Sequence, residues 1–229
     1  MINEERAIPF ILINNQNQFL ITEEAKIFLS NIKINNFCVL FVIGKYRTGK
    51  SYLLNKILLK IKNQKNGFNV GSTVNSCTKG IWIWSTPIEI RGKEENRTKV
   101  LLMDTEGFSG VGENLNHDSR IFILSLLLSS MFIYNSLGSI DEQALQTLGL
   151  VTNIAKELIH NDGTVLSDEQ IQEMFPYFIW LVRDFSLELF NTQGSKITSK
   201  EYLESALQNV KGNNDFAASK NKLRNLIRH

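Results

Sequence analysis

Gly44-Lys45-Tyr46-Arg47-Thr48-Gly49-Lys50-Ser51 fits G-x-x-x-x-G-K-[ST], a spacing with a physical reason behind each fixed position. A phosphate chain carries several negative charges. Successive backbone N–H groups in a glycine-permitted turn, followed by a helix amino end, bind it without bulky side chains in the way. Lys50 would neutralise the β and γ phosphates, and the Ser51 hydroxyl would ligate Mg²⁺. The string follows the apolar run Phe37 to Ile43 and opens the helical stretch Tyr52 to Ile61, which is the context such a loop requires. A chance glycine turn with a surface lysine is the bland alternative, and the flanking strand and helix weigh against it.

Asp104-Thr105-Glu106-Gly107 closes a second apolar run, Val100 to Met103. A carboxylate at that strand end suits the Mg²⁺ shell of a P-loop NTPase, reached through water, and the glycine N–H behind it can touch the γ phosphate. D-x-x-G alone is a common strand-capping turn; its place in order behind the phosphate loop gives it meaning. Between the two strings lies the polar loop Gly71-Ser72-Thr73-Val74-Asn75-Ser76-Cys77-Thr78-Lys79-Gly80. A threonine there would complete the Mg²⁺ shell when triphosphate is bound; from composition alone the loop reads equally well as a solvated connection with two glycine hinges.

The N-K-x-D guanine signature is absent: Asn55-Lys56 runs into Ile57-Leu58, and Asn221-Lys222 into Leu223-Arg224. A third apolar run, Tyr177 to Val182, ends instead in Arg183-Asp184, at the sheet edge where ligands of open α/β sheets bind. An aspartate there would accept hydrogen bonds from guanine N1 and N2 and meet an acceptor on adenine, unless it is only a strand-end cap.

The elements that must position these residues follow from hydrophobic spacing. Ile8 to Ile13 and Gln18 to Ile21, joined by Asn14-Asn15-Gln16-Asn17, predict a hairpin. Thr22 caps a short helix with Glu23 and Glu24 in its first turn and Ala25, Phe28, Leu29 and Ile32 on its buried face. The three apolar runs predict strands covered on both faces. Ile81 to Trp84 and Ile88 to Ile90, with Pro87 between, predict an antiparallel edge, and Ile121 to Leu128 a helix feeding a buried strand Met131 to Tyr134. Asp141 to Ile159, Ser167 to Pro176, Thr198 to Leu207 and Asp215 to His229 read helical. Buried strands alternating with amphipathic helices argue for the α/β class: a P-loop NTPase three-layer fold, mainly parallel, with helices on both faces.

Composition narrows the alternatives. The 229 residues, 43% apolar and 21% charged, suffice for one domain with a core that needs no disulfide or structural metal. The formal charge of +2 is scattered, without the basic stripe of a nucleic-acid binder. Cys38 and Cys77 show no metal or redox spacing, which fits the cytoplasm, and the charged start Met1 to Arg6 lacks a signal-peptide core. Ile121 to Ile140 carries no charge, but the polar residues Ser125, Ser129, Ser130, Asn135 and Ser136 interrupt it, so a helix and a buried strand explain it better than a membrane span. His117, His160 and His229 form no metal constellation and read as surface residues.

Taken together, Gly44 to Leu54 (GKYRTGKSYLL), Gly71 to Trp84 (GSTVNSCTKGIWIW), Asp104 to Gly107, Leu127 to Leu137 and Arg183 to Leu187 (RDFSL) closely resemble the guanylate-binding proteins, dynamin-like large GTPases with atlastins as more distant relatives. The arginine inside the phosphate loop, the glycine-tryptophan strand after the threonine loop and R-D in place of N-K-x-D are the strongest discriminators.

The resemblance implies Mg²⁺-dependent GTP binding and hydrolysis, with a homodimer formed through the nucleotide face. It makes Arg47 an arginine finger supplied in cis, Ser76 the serine that helps hold the attacking water, Thr78 the Mg²⁺ threonine beside Ser51 and Asp104, Glu106 the carboxylate ordering the water network, and Asp184 the guanine reader. Arg47, Lys50, Ser76 and Glu106 thus stand as catalytic candidates. The nucleotide would be lined by Gly44, Lys45, Tyr46, Arg47, Thr48, Gly49, Lys50, Ser51 and Tyr52, by Gly71 and Ser72, by Asp104, Thr105, Glu106 and Gly107, and by Arg183 and Asp184.

Two departures qualify this pattern. Cys77 stands where the family often has histidine, and a thiol replaces imidazole poorly. The relatives also continue past the position of His229 with a base-capping segment, a last strand and helix of the GTPase domain, and a long helical domain. The expectation is therefore a single G domain over 1–229 that lacks its carboxyl end, with any membrane attachment lying in that further region. A nucleotide-gated module that binds GTP with little turnover is the second reading, and a P-loop enzyme using ATP the third.

Overall fold

The computed structural model describes residues 5–32, 37–61, 67–70, 79–91, 97–108, 115–149, 154, 169–170, 173, 175–208, 217 and 221. The chain divides into two compact units, Met1–Asn135 and Ser136–His229.

In the first unit, β1 (Ala7–Ile13) and β2 (Phe19–Ile21) form the expected antiparallel hairpin, with Ile11 opposite Ile21 and Ile13 opposite Phe19. The Asn14 side chain organises its turn by accepting from the backbone N–H of Gln16 and of Gln18, both at 2.9 Å. Thr22 then caps α1 (Glu23–Asn31), its hydroxyl accepting from the Ala25 N–H at 3.1 Å. Of the expected buried face only Ala25 is buried, and Leu29 is 39% exposed. A single small residue seats this helix, so it contributes little apolar burial.

β3 (Phe37–Ile43) runs parallel to β6 (Arg97–Thr105) on one side and to β7 (Met131–Leu137) on the other. These are the strands that α/β crossovers build. β3 is buried only over Leu40 to Ile43, and Phe37 lies exposed at its start. β4 (Ile81–Trp84) and β5 (Ile88–Arg91) both pair antiparallel with β6, β4 along its carboxyl half and β5 along its amino half. The antiparallel sense is as expected, but β4 is no edge. Its other side pairs with β1, giving the order β2-β1-β4-β6-β3-β7. The fold is α/β, a parallel centre extended by an antiparallel flank.

α3 (Leu115–Leu128) delivers the chain to β7 as expected. Under it Phe122 stacks on Phe108 and Phe132 with centroids 5.3 and 5.5 Å apart, and on Tyr134 at 6.3 Å. Burial of such rings contributes about 1.5–3 kcal/mol each, and the stack anchors the turn that follows β6. No helix among the described residues is long and apolar enough to cross a membrane.

In the second unit β8 (Tyr177–Arg183) lies beside the end of β7, Trp180 Nε1 donating to Ser136 Oγ at 2.9 Å. The expectation that it is covered on both faces fails. Its residues are half-buried or exposed throughout, and Tyr177 is 75% exposed. An apolar run fits a strand with open surface as well as a buried one, and periodicity does not separate the two. Asp141 Oδ1 accepts from the Ala144 N–H at 2.6 Å and starts a helix at 142–149, whose buried residues are Ala144, Leu145, Leu148 and Gly149. The expected continuation to Ile159 apart from Ile154, most of Ser167 to Pro176 and nearly all of Asp215 to His229 lie outside the described residues. α4 (Ser199–Ala206) carries the capping box between Thr198 and Glu201.

Candidate functional site

The loop Gly44 to Ser51 leaves β3 where the strand is fully buried and turns back through two residues with left-handed backbone, Arg47 at φ 63° and Gly49 at φ 80°. Glycine adopts that region without cost, whereas arginine stores strain there, of the size usually found at functional positions. Thr48 locks the turn: its hydroxyl donates to the Lys45 carbonyl at 2.9 Å, and its own carbonyl accepts from Asn135 Nδ2 at 2.8 Å. A Cβ on Gly44 would lie 2.1 Å from the Asn135 carbonyl oxygen, so β3 and β7 approach this closely only with glycine there.

Lys50 opens α2 (Lys50–Leu53), and its side chain is buried, donating to the Lys45 carbonyl at 3.3 Å. Burial pushes its ammonium below the ordinary 10.5, against an opposing pull from the Asp104 and Glu106 carboxylates. The expected helix Tyr52 to Ile61 changes character after one turn, with a π segment over Leu54–Leu58. That segment buries Asn55, whose amide accepts from the Phe68 N–H and donates to the Phe68 carbonyl, both at 2.8 Å. Asn55 is therefore structural, clamping the chain at Gly67 and Phe68, while Lys56 Nζ donates to the Ile61 carbonyl at 3.0 Å.

β6 brings Asp104 to the same place. Asp104 is fully buried, and the Ser51 hydroxyl donates to its Oδ2 at 2.6 Å, joining residues far apart in sequence. The buried Thr105 hydroxyl donates to the Val42 carbonyl at 3.1 Å, so this side chain pins β6 to β3. Gly107 faces the loop: a Cβ there would lie 2.6 Å from Tyr46 Cα and 2.7 Å from Lys50 Nζ. Backbone alone fits in that gap. The Tyr46 N–H donates to the Phe108 carbonyl at 3.0 Å and holds the two segments together. Ser51 and Asp104 supply hard oxygen donors of the kind Mg²⁺ takes. Arg47 is exposed, with its guanidinium carbon 5.4 Å from the Tyr46 ring centroid. Tyr52 is exposed as well.

In the second unit Asp184 ends β8 with φ 53°, its carboxylate exposed. Its neighbours are fixed on both sides: the Arg183 carbonyl accepts from the Gly138 N–H at 2.8 Å, and the Phe185 ring packs edge-on to Tyr202 at 5.5 Å. Gly71, Ser72, Ser76, Cys77 and Thr78 lie outside the described residues.

A family model of the guanylate-binding protein N-terminal domain matches residues 16–229. The chain belongs to the guanylate-binding protein family. Guanylate-binding protein 4 of Homo sapiens is 43% identical over 227 residues, covering 96% of this chain and 34% of that protein. Guanylate-binding protein 2 of Homo sapiens is 43% identical over 227 residues, with 96% and 36% covered, and guanylate-binding protein 6 of Pongo abelii 44% identical over 227 residues, with 96% and 34% covered. The chain thus spans about a third of the length of the curated relatives it matches.

One residue of this guanylate-binding protein domain contradicts its sequence reading. His117 is not a surface residue: its side chain is 20% exposed and its Nε2 lies 3.2 Å from Glu106 Oε2. The same carboxylate oxygen accepts from the Gly80 N–H at 3.0 Å. Neither partner was legible beforehand. A lone histidine eleven positions from Glu106 carries no motif, and a backbone N–H leaves no side-chain signature.

Proposed function

We propose that this domain binds GTP with Mg²⁺ and hydrolyses it, dimerising through its nucleotide face. The observation that carries the reading is the meeting of three groups at the phosphate loop: the buried Lys50 ammonium, the Ser51–Asp104 hydrogen bond and the side-chain-free Gly107. In that arrangement the backbone from Lys45 to Lys50 cradles the β phosphate and Lys50 neutralises the charge shared by β and γ. Ser51 and Asp104 would hold Mg²⁺, directly and through water respectively, with Thr78 as the third ligand. The ion when bound neutralises charge developing on the phosphoryl oxygens.

The burial of Lys50 matters because fixed charge acts more strongly where water is excluded, and needs no reorganisation as the reaction proceeds. Arg47 supplies the finger. Its exposed, strained position lets it swing from the Tyr46 ring onto the phosphates when a second copy covers the nucleotide face. Ser76 and Glu106 hold the attacking water. Asp184 reads guanine: a strand-end carboxylate with free lone pairs accepts from N1 and N2 and repels the adenine acceptor at the same place.

Release of inorganic phosphate from GTP, measured with purified protein in Mg²⁺ and again with the ion chelated, tests the proposal. Mg²⁺-dependent release that excess ATP does not suppress supports it. Tight GTP binding by calorimetry without release would leave a nucleotide-gated module instead, and displacement of GTP by ATP would point to an ATP-using enzyme.

A further inference from the structure

Glu106 is held from two sides, and both holders lean on the amino-terminal hairpin. On one side, the Gly80 N–H donates to its Oε2 at 3.0 Å, while the Glu106 N–H donates to the Gly80 carbonyl at 2.9 Å. Gly80 has φ 72°, and a Cβ there would lie 2.1 Å from the Ile11 carbonyl oxygen on β1, so the hairpin presses directly against it. On the other side, His117 Nε2 reaches the same oxygen at 3.2 Å from α3. An ionised carboxylate only accepts, so the histidine proton sits on Nε2 and donates. The His117 ring stacks on Phe19 of β2, with centroids 6.3 Å apart. Arg120, one turn further along α3, lies with its guanidinium carbon 4.4 Å over the same Phe19 ring and donates to the Asn17 carbonyl at 3.2 Å. α3 and the hairpin are thereby fastened together at the point where His117 meets Glu106.

We infer that His117 is a positioning residue: braced by Phe19 of the amino-terminal hairpin, it fixes the Glu106 carboxylate in the orientation that orders the attacking water. The inference rests on the GTPase reading of Glu106 given above. It assigns the hairpin, whose residues lie outside the phosphate loop in sequence, a part in turnover. A carboxylate that rotates about its χ angles spends part of its time misaligned, and misalignment of this kind lowers rate without lowering substrate affinity. His117 lies outside the phosphate loop, so its loss leaves Lys50, Ser51 and Asp104 in place.

The test is a double-mutant cycle on GTP hydrolysis with the full chain. His117→Leu is expected to lower kcat about tenfold, with the dissociation constant for a non-hydrolysable GTP analogue changed less than about twofold. His117→Gln, which keeps a donor N–H at a similar reach, is expected to recover most of that loss. In a Glu106→Gln background, His117→Leu should cost nothing further. Phe19→Ala should show the same kcat-only defect at smaller size.

If His117→Leu and His117→Gln are equally slow, or if the His117→Leu loss persists in full alongside Glu106→Gln, the histidine does not act through Glu106 and the inference fails. It fails too if His117→Leu turns over like wild type while Glu106→Gln is slow, a result that leaves the GTPase reading intact. Wild-type protein without turnover overturns both. Should His117→Leu not fold, Phe19→Ala and His117→Gln carry the same comparison.

Discussion

The loop Gly44 to Ser51 in the first unit and the strand end at Asp184 in the second are built by opposite means. In the first, Lys50 and Asp104 are buried, Ser51 is bonded to Asp104, and a Cβ added at Gly44 or Gly107 would press against neighbouring backbone. At the strand end in the second unit, Asp184 is exposed and only its neighbours are fixed, Arg183 by its carbonyl and Phe185 by its ring. Under the proposed function the contrast would follow from the tasks. Charge neutralisation in a transition state gains from low dielectric and rigid placement, which require a cavity built from several segments. Base selection needs one acceptor aimed along a known direction, and a strand end with a tethered backbone would suit that.

The comparison can be broken most directly at Lys50. Lys50→Met should weaken GTP binding at least about 100-fold by calorimetry, because a desolvated charge-assisted contact has no substitute. The same change should alter how stability follows pH. The folded-state value of Lys50 lies below its unfolded 10.5, so between the two the unfolded chain binds more protons and stability rises with pH through that window. Melting curves at neutral and alkaline pH should show that rise in the wild type and lose it in Lys50→Met.

Arg47→Ala should lower turnover by at least about 10² with affinity nearly unchanged, since a finger acts on charge that develops only in the transition state. Equal losses in binding and rate would remove it from that role. Asp184→Asn sharpens the other arm: GTP preference over ATP should fall by about 10–100-fold, while the melting temperature stays put because the side chain is exposed. An unchanged preference would make Asp184 a strand cap only. The smallest effect should come from Gly107→Ala, where the added methyl must displace Tyr46 or the Lys50 ammonium. A loss of about tenfold in GTP affinity with a modest drop in melting temperature is expected, and wild-type affinity would show that the gap is looser than its 2.6 Å contact implies.

Much of this was legible before any coordinates. The strand, turn and helix around Gly44 to Ser51, the hairpin turn at Asn14, the Thr22 cap and the Thr198 capping box are each written in consecutive residues, and the structure contains all of them. Errors arose where one local pattern fits two environments. Tyr177 to Val182 is as apolar as Val100 to Met103, yet one strand is half open and the other buried. Ile81 to Trp84 was read as an edge because its spacing is tight. Its position between β1 and β6 depends on a strand more than sixty residues earlier in the chain.

What the sequence determined by itself was the chemistry available: which residues can turn left-handed, which carry charge, and which spacing threads a strand into a glycine-bearing turn and a helix. Those are properties of neighbours along the chain, fixed by sterics and local hydrogen bonding. Only the tertiary structure decided that Lys50 would be buried, that Ser51 would meet Asp104, and that Glu106 would sit between the Gly80 N–H and the His117 ring. Such meetings join segments that have no local reason to be together, and close packing of the sheet and of α3 sets their distances.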